Sequence, residues 1–389
     1  MSLVIDIHAL QTIPPSLINR DDTGAPKTAV FGGVPRQRVS SQSWKRAIRR
    51  YFETQFDGEQ IGDRSKRLPE KIARLLEAEG LQQTDAIART EMLFKAAKIK
   101  TEVEKKPKKG EEEASEHNPY PRTSYLIFLS QQQVDRAVQE LLARGGEKLS
   151  TNEAKDILNT NHSVDMAMFG RMIADDAAYN VDAAVQVAHA IGIHNSTPDF
   201  DYFTAVDDLA EEGQETGAGM IGTVQMMSST LYRYATVNLK GLEENLGSAE
   251  VARQAAQQFI EAFIASMPTG KINTFANQTL PELVYVAIRD TRPVSLINAF
   301  ETPVAEESSS DYQYASAGKA VQSRRLVAAE RLAQETRDVQ DVYGFTPRAA
   351  FVLGLGDLAV PFEGIAEKTT LAGLTERVAD ELTRLAGES

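Results

Sequence analysis

The sequence predicts an α+β fold in which a core of strands and helices carries two insertions. Three observations support this class. A strand-like segment and an amphipathic helix occupy residues 1–56, helical patterns fill most of residues 57–184, and a glycine-rich stretch at 195–223 separates two strand-like segments. With 389 residues, 42% hydrophobic and 25% charged, the composition is that of a globular protein large enough for one core with insertions.

The first predicted elements are a strand at residues 3–10 and a helix that ends near residue 56. The segment LVIDIHAL is rich in β-branched residues and places Asp6 and His8 on one face of the strand. Between these two elements, residues 19–51 carry eight basic residues and two acidic ones, although the whole chain has a net charge of −13. Such a positive island in an acidic protein indicates a polyanionic partner, with nucleic acid the usual one.

The residues within this island are ordered as an anion site requires. Gly32 and Gly33 allow a tight turn with accessible N–H groups, and a serine cluster at 40–43 stands where the helix begins. Lys45 and Arg49 lie one turn apart on one helix face. A second face, expected to be buried, carries Trp44, Ile48, Tyr51 and Phe52. The alternative is a basic helix that is simply solvated.

The later elements follow from hydrophobic periodicity. Helices are predicted at 64–79, 84–97, 131–144, 151–159, 249–266, 317–343 and 371–385, and strands at 182–194, 230–239, 283–288 and 350–355. Residues 123–130 fit a strand or the start of a helix. The seven lysines at 95–109, followed by glutamates, are typical of a solvated loop.

Several functional classes are excluded or disfavoured. The chain has no cysteine, which removes disulfides and thiolate chemistry, and it has no membrane-length apolar run, so we expect a cytoplasmic protein without a membrane partner. The five histidines lack metal-ligand spacing. A G-x-G-x-x-G match at 217–222 lacks the strand before and the helix after that a dinucleotide site needs, so we interpret it as part of a flexible loop.

Two further groups of residues leave alternatives open. Asp21 and Asp22 could hold Mg²⁺ for nucleolysis, or cap a turn and pair with arginines. Met172, Tyr202 and Phe203 could insert between nucleobases, or anchor their loops to the core.

The sequence resembles the CasC family, the backbone subunit of the type I-E CRISPR surveillance complex called Cascade. The resemblance rests on NRDD at 19–22, FGG at 31–33, SSQS at 40–43, KRA at 45–47, GRM at 170–172, AHAI at 188–191, YFTAVDDL at 202–209, YRYA at 232–235 and NAFE at 298–301. Residues 57–160 and those after 310 match poorly by eye.

The resemblance implies an RRM-like (ferredoxin-like) palm with a helical fingers insertion and a thumb hairpin insertion. The palm would comprise 1–56, 185–198 and 224–389 with its C-terminal helices, the fingers 57–184 and the thumb 199–223. The resemblance also implies that copies assemble head to tail along a CRISPR RNA, beside other Cascade subunits, and meet target DNA through the guide. No cofactor, metal or catalytic residue is expected.

Carried over residue by residue, the resemblance implies guide-backbone contacts from Arg20, Lys27, Ser40, Gln42, Lys45 and Arg49. The family commonly has lysine where Arg49 stands, which keeps the charge and changes the geometry. Met172 would wedge between bases, Phe203 in the thumb would pack near the kink in the RNA, and Lys271 would be a further contact. The competing hypothesis is a metal-dependent RNA endonuclease that uses Asp21 or Asp22, as in backbone subunits of type III complexes.

Overall fold

The computed structural model describes residues 3–56, 58–103, 118–173, 176–205, 220–305 and 323–387. The chain divides into two compact units. The first comprises Met1–Tyr51, Gln186–Asn238 and Ala256–Ser389, and the second comprises Phe52–Val185 and Leu239–Ala255. Strands and helices occur in both, so the predicted α+β class is confirmed.

The strands lie mainly in the first unit. In chain order they are β1 (Val4–Ser16), β2 (Thr28–Phe31), β3 (Val34–Val39), β4 (Gly62–Ser65), β5 (Thr101–Glu102), β6 (Arg122–Thr123), β7 (Ile127–Ser130), β8 (Val185–Val187), β9 (Ala190–Gly192), β10 (Asp199–Ala205), β11 (Met220–Asn238), β12 (Leu283–Arg289), β13 (Ala349–Gly354) and β14 (Glu367–Lys368).

The helices separate these strands along the chain. They are α1 (Ser41–Gln55), α2 (Leu68–Ala78), α3 (Gln83–Ala96), α4 (Gln131–Ala143), α5 (Thr151–Leu158), α6 (Val164–Phe169), α7 (Leu239–Leu246), α8 (Ala249–Ala265), α9 (Ile272–Phe275), α10 (Arg324–Tyr343) and α11 (Leu371–Gly387). No helix in the described part of the chain is long and apolar enough to cross a membrane.

One large sheet organises the first unit, with strand order β14-β13-β12-β1-β11-β9-β3-β2. The strand β1 lies in its middle, paired antiparallel with β11 on one side and β12 on the other. The two neighbours cover both edges of β1, which is consistent with its nearly complete burial.

The two faces of this sheet pack against different helices. On one face the residues of β1, β11, β12 and β13 pack against α10 in a cluster that includes Tyr232, Tyr285, Phe300 and Leu332. On the opposite face Trp44 of α1 packs with Val39 and Leu231. As predicted, Asp6 and His8 share a face of β1 and both are fully buried.

The second unit has its own core, built from α2 to α5 and the strands between them. The helix predicted at 64–79 begins later than expected. Residues 62–65 form β4, which pairs with β7, and α2 begins only at Leu68, with Pro69 in its first turn. The pairing also shows that the C-terminal half of segment 123–130 is a strand.

Other boundaries depart from the sequence prediction as well. The segment 182–194 forms two short strands, β8 and β9, rather than one, and α7 was not predicted. The helix predicted at 317–343 begins at Arg324, where the Ser323 hydroxyl caps it by accepting from the Leu326 N–H at 3.3 Å. Residues 317–322, 104–109 and 206–219, on which other sequence predictions fall, lie outside the described residues.

Candidate nucleic-acid interface

The helix α1 turns its apolar residues inward and its cations outward. The carbonyl oxygen of Ser40 accepts hydrogen bonds from the N–H groups of Ser43 and Trp44 at 3.0 and 3.2 Å, which starts the helix. Trp44 and Ile48 are fully buried, as the sequence predicted. Because the apolar stripe is fixed against the sheet, the basic residues of α1 must occupy the remaining faces.

A cavity of about 810 Å³ lies beside one of these faces. It is lined by residues from three separate segments of the first unit, and its polar and charged lining residues are Asn19, Arg20, Ser43, Arg46, Arg50, Thr269 and Lys271. Four cationic side chains therefore surround one concave space. Phosphate groups of a nucleic-acid backbone are the natural ligands of such a space, since arginine offers them two parallel N–H donors.

The loop that supplies Lys271 is held very close to the segment that supplies Arg20. A Cβ atom at Gly270 would lie 2.1 Å from the carbonyl oxygen of Ile18, so only glycine fits this approach. Lys271 itself has φ 49°, in the left-handed region. The local backbone thus holds the Lys271 segment at the cavity wall.

Lys45 and Arg49 lie on a different stripe of α1 and do not line this cavity. Burial, and then the neighbouring charge of Arg49, lower the pKa of Lys45. Near the start of the helix the Ser40 hydroxyl donates a hydrogen bond to the Gln42 side-chain oxygen, and the Ser40 N–H donates to Asn19 at 2.8 Å. Of these four predicted contact residues, Ser40 directly precedes α1, Gln42 lies in its first turn, and Lys45 and Arg49 lie on a stripe that does not face the cavity.

Lys27 belongs to a further group of polar residues beside the start of α1. Its carbonyl oxygen accepts from the Arg38 N–H at 2.9 Å, and the Arg38 guanidinium lies 3.3 Å from Nδ1 of His189. The Ser41 N–H, at the first turn of α1, is 3.4 Å from the same nitrogen. Burial, and then the charges of Arg38 and Lys27, lower the pKa of His189. Nδ1 therefore accepts from both donors, and Nε2 of this exposed residue carries the proton.

The carboxylate of Asp21 holds the turn that follows it. One carboxylate oxygen of Asp21 accepts from the Thr23 N–H at 2.9 Å, the Thr23 hydroxyl at 2.7 Å and the Ala25 N–H at 3.0 Å. The Thr23 hydrogen bond is the largest cause of the lowered pKa of Asp21. No group of three or more histidine, aspartate or glutamate side chains within the described ranges is arranged to hold a metal ion.

Met172 lies in the second unit, where its neighbour Arg171 anchors it. The Arg171 guanidinium is buried and donates to the carbonyl oxygens of Tyr179, Phe128 and Leu158 at 2.8, 3.2 and 3.0 Å. The side chain of Met172 is 79% exposed. A large apolar side chain is thus held outward by a fixed backbone, which argues against core anchoring for this residue.

Phe203 lies on the hairpin formed by β10 and β11, opposite Gly222. Its ring covers that glycine so closely that a Cβ at Gly222 would be 2.3 Å from the ring. Phe200 and Tyr202 point to the other face of the hairpin and are 70% and 63% exposed, against 39% for Phe203. The most exposed aromatic residues of the hairpin are therefore not the one that the resemblance selected.

The structure brings Arg20 and Lys271 together and adds two arginines, Arg46 and Arg50, that the sequence analysis did not select. Their spacing with Ser43, at three or four residues, was a helical signal for a shared face. The signal was incomplete because the other wall of the cavity comes from residues 267–271, far away in the sequence.

Comparison with known proteins agrees with this description. The chain is similar to a chain of a solved "CRISPR RNA-guided surveillance complex, pre-nicking", with 34% identity, a TM-score of 0.79 and coverage of 97% of this chain and 100% of that one. A chain of a second "CRISPR RNA-guided surveillance complex" has 29% identity and a TM-score of 0.69, with coverage of 97% and 99%. No curated protein matches.

The family model and the structural similarity over nearly the whole chain define the class of the protein as CRISPR-associated. The family model described as "CT1975-like protein" matches residues 5–377. The chain belongs to this CT1975-like family.

Proposed function

We propose that this protein binds CRISPR RNA as a non-catalytic backbone subunit of a type I-E surveillance complex. The observation that carries the proposal is the cavity surrounded by Arg20, Arg46, Arg50 and Lys271 in a chain with a net charge of −13. The four cations attract phosphates to this concave surface. The excess of acidic residues in the rest of the molecule repels phosphates from other surfaces. The similarity to chains of RNA-guided surveillance complexes supports the choice of RNA.

The chemistry of the interface favours recognition of the backbone rather than the base sequence. Its charged groups are arginine and lysine, which bind phosphates irrespective of the neighbouring base. Sequence recognition would then be left to pairing between the guide and its DNA target. In this proposal Gln42, Lys45 and Arg49 extend the phosphate contacts along α1, and Lys27 and Ser40 extend them beside its start.

The proposal includes assembly of several copies head to tail along one guide, together with other subunits of the complex. The first unit would be the RRM-like palm, and the β10–β11 hairpin would be the thumb that lies over RNA held by the next copy. Met172 and the hairpin aromatics would contact bases that the backbone path unstacks. Exposure of Met172, Phe200 and Tyr202 supports these roles.

The first experiment measures binding of the purified protein to labelled single-stranded RNA over a salt series. Replacing Arg46 and Arg50 with glutamate should weaken binding at least about tenfold near 0.1 M salt and reduce the log–log salt slope by roughly one to two. A matched control is Lys240→Glu with Lys368→Glu, which makes the same charge change at two exposed positions that do not line the cavity. Equal losses in both double variants would remove the cavity from the interface.

The same samples also test for nuclease activity. Each is incubated with Mg²⁺ and run on a denaturing gel, where we expect intact RNA. The hydrogen bonds that hold Asp21 in its turn favour this outcome. Mg²⁺-dependent fragments that disappear in Asp21→Asn with Asp22→Asn would overturn the non-catalytic assignment and make the protein an endonuclease.

A further inference from the structure

Arg233 is a buried cation beneath the basic helix. It lies on β11 opposite Ala9 of β1, and the residue is 2% exposed. Its guanidinium lies between two aromatic rings, 3.7 Å from the ring centre of Trp44 and 4.3 Å from that of Phe263. The aromatic faces attract the cation, and the small side chain of Ala9 leaves room for it in the sheet.

The hydrogen-bond partners of Arg233 are neutral. One terminal nitrogen donates to Oε1 of Gln11 at 2.6 Å, the other donates to the carbonyl oxygen of Phe263, and Nε has no partner in the described part of the chain. No carboxylate pairs with this guanidinium among the residues that the structure describes. Burial alone lowers the pKa of Arg233, to about 9, so the group still carries its charge at neutral pH.

The other buried arginines of the described chain are held by more partners or by a charged one: Arg36 and Arg171 each donate to three backbone carbonyl oxygens, and Arg289 has a carboxylate. On the opposite face of the sheet, Arg289 pairs with the buried carboxylate of Asp6 at 2.9 Å. Burying a charge without such a partner is costly, and a methionine of similar volume would fill the space without that cost. The unpaired charge of Arg233 therefore calls for an explanation other than packing.

The position of Arg233 supplies one. Trp44, which covers the guanidinium, belongs to the helix whose outward faces carry Lys45, Arg46, Arg49 and Arg50. A helix is about 10 Å across, so a charge under its buried face lies about that far from a ligand on its outer face. Apolar side chains screen such a charge less than water does.

We propose that Arg233 is an electrostatic component of the RNA interface, and that it raises the affinity of α1 for phosphates without touching the RNA. The inference rests on the proposed function. It also explains the neutral partners, because a carboxylate beside Arg233 would cancel the potential at the helix surface. Coulomb's law over about 10 Å, with effective dielectric constants between about 20 and 80, gives an expected contribution of about 2- to 15-fold in RNA affinity.

The first test is Arg233→Met. We expect RNA affinity to fall about 2- to 15-fold in the folded variant. The midpoint of urea unfolding, measured alongside, reports the balance between the removed buried charge and the two acceptors, Oε1 of Gln11 and the Phe263 carbonyl oxygen, that lose their donor. As a control, Phe263→Leu perturbs the same site and keeps the charge, so it should lower the unfolding midpoint and leave affinity within about twofold. Unchanged affinity in folded Arg233→Met would overturn the proposal.

A second variant covers the case in which Arg233→Met does not fold. Gln11→Glu keeps the shape of the side chain and places a carboxylate against the guanidinium, so affinity should fall although the arginine remains. Gln11→Glu also loses the hydrogen bond that Gln11 Nε2 donates to the Thr279 carbonyl oxygen. The matched control is Gln11→Met, which loses the same hydrogen bond and adds no charge. Equal affinity of the Glu and Met variants would overturn the proposal, whereas a wild-type protein that binds no RNA would overturn the proposed function instead.

Discussion

At the residue scale, the interior of the sheet holds a histidine that must remain neutral. His8 is fully buried, its Nδ1 is hydrogen-bonded to the Tyr232 hydroxyl at 2.9 Å, and its ring stacks on those of Tyr234 and Tyr285 at 5.1 and 5.5 Å. Burial, and then the charge of Arg289, lower the pKa of His8 well below 6.5. The folded protein therefore excludes a proton that the unfolded chain accepts.

This difference predicts acid sensitivity. Below pH 6.5 the unfolded state binds a proton at His8 and the folded state does not, so the stability contributed by neutral His8 is lost as the pH falls. The slope is up to about 1.4 kcal/mol of unfolding free energy for each pH unit. Urea unfolding at several pH values between 7 and 5 measures it.

The control for this prediction is His8→Phe. The variant loses the hydrogen bond to Tyr232, so it should be less stable at pH 7. Because it cannot bind a proton at position 8, the stability gap between wild type and variant should narrow as the pH falls. A gap that stays constant with pH would show that His8 is not the proton-binding site.

The sequence predicted this part of the molecule well. Alternation within 3–10 was enough to place Asp6 and His8 on one face, since a strand has a fixed period of two. It was not enough to predict the partners, because Tyr232, Tyr285 and Arg289 come from distant strands whose register only the folded sheet defines. The same limit explains why Arg46 and Arg50 were not selected from α1.

At the element scale, the turn at 170–172 combines an anchored backbone with an exposed side chain. Gly170 has φ 77°, and a Cβ there would lie 2.8 Å from the Val181 carbonyl oxygen. The Arg171 backbone pairs with Val181 in both directions, at 3.0 and 2.9 Å. Such a turn would let Met172 act as a wedge with little loss of conformational entropy in the backbone.

We predict that Met172→Ala separates folding from base unstacking. Because Met172 is exposed, the free energy of unfolding should change by less than about 0.5 kcal/mol. RNA that contains 2-aminopurine should become more fluorescent on binding to wild-type protein and less so with the variant, since a wedge unstacks the reporter base. Leu126→Ala, which removes another exposed apolar side chain of the same unit, serves as the control. The same fluorescence with wild type and Met172→Ala would contradict the wedge.

Elements with strong, local signals were predicted more accurately than those that depend on pairing. Helices α3, α4 and α5 begin and end within one residue of their predicted bounds, and Ser130 and Ser150 each cap a helix with a reciprocal hydrogen-bond pair. The segments 62–65 and 182–194 were misjudged because their strands are short and exist only through partners elsewhere in the chain.

At the scale of the whole molecule, charge is unevenly distributed. The chain carries 55 acidic and 42 basic residues, yet four cations surround the one cavity that we assign to RNA. Free copies would repel one another through their net charge. A shared polyanion would offset that repulsion, so assembly should depend on RNA.

Assembly should depend on the length of the RNA. On an RNA that accommodates several copies, sedimentation should show fully coated and bare RNA with few intermediates, and the affinity per copy should exceed that for an RNA that holds one copy. Raising the salt concentration should release the copies together. Independent, non-cooperative loading of the long RNA would contradict head-to-tail assembly.

The CRISPR-associated class of the chain was accessible from sequence because the resemblance rested on several short motifs in a fixed order. The α+β class is confirmed, and membership of a CRISPR-associated family agrees with the resemblance at that level. The type I-E assignment, the division into palm, fingers and thumb, and each RNA contact remain predictions.

The length of β11 has a mechanical consequence. One continuous strand forms the hairpin with β10 and then runs beside β1 from Ser229 to Asn238. A pull on the hairpin along the strand loads these cross-strand hydrogen bonds in shear, so that they resist together instead of opening one after another. Tension applied through the hairpin would therefore act along the direction in which the sheet resists most strongly.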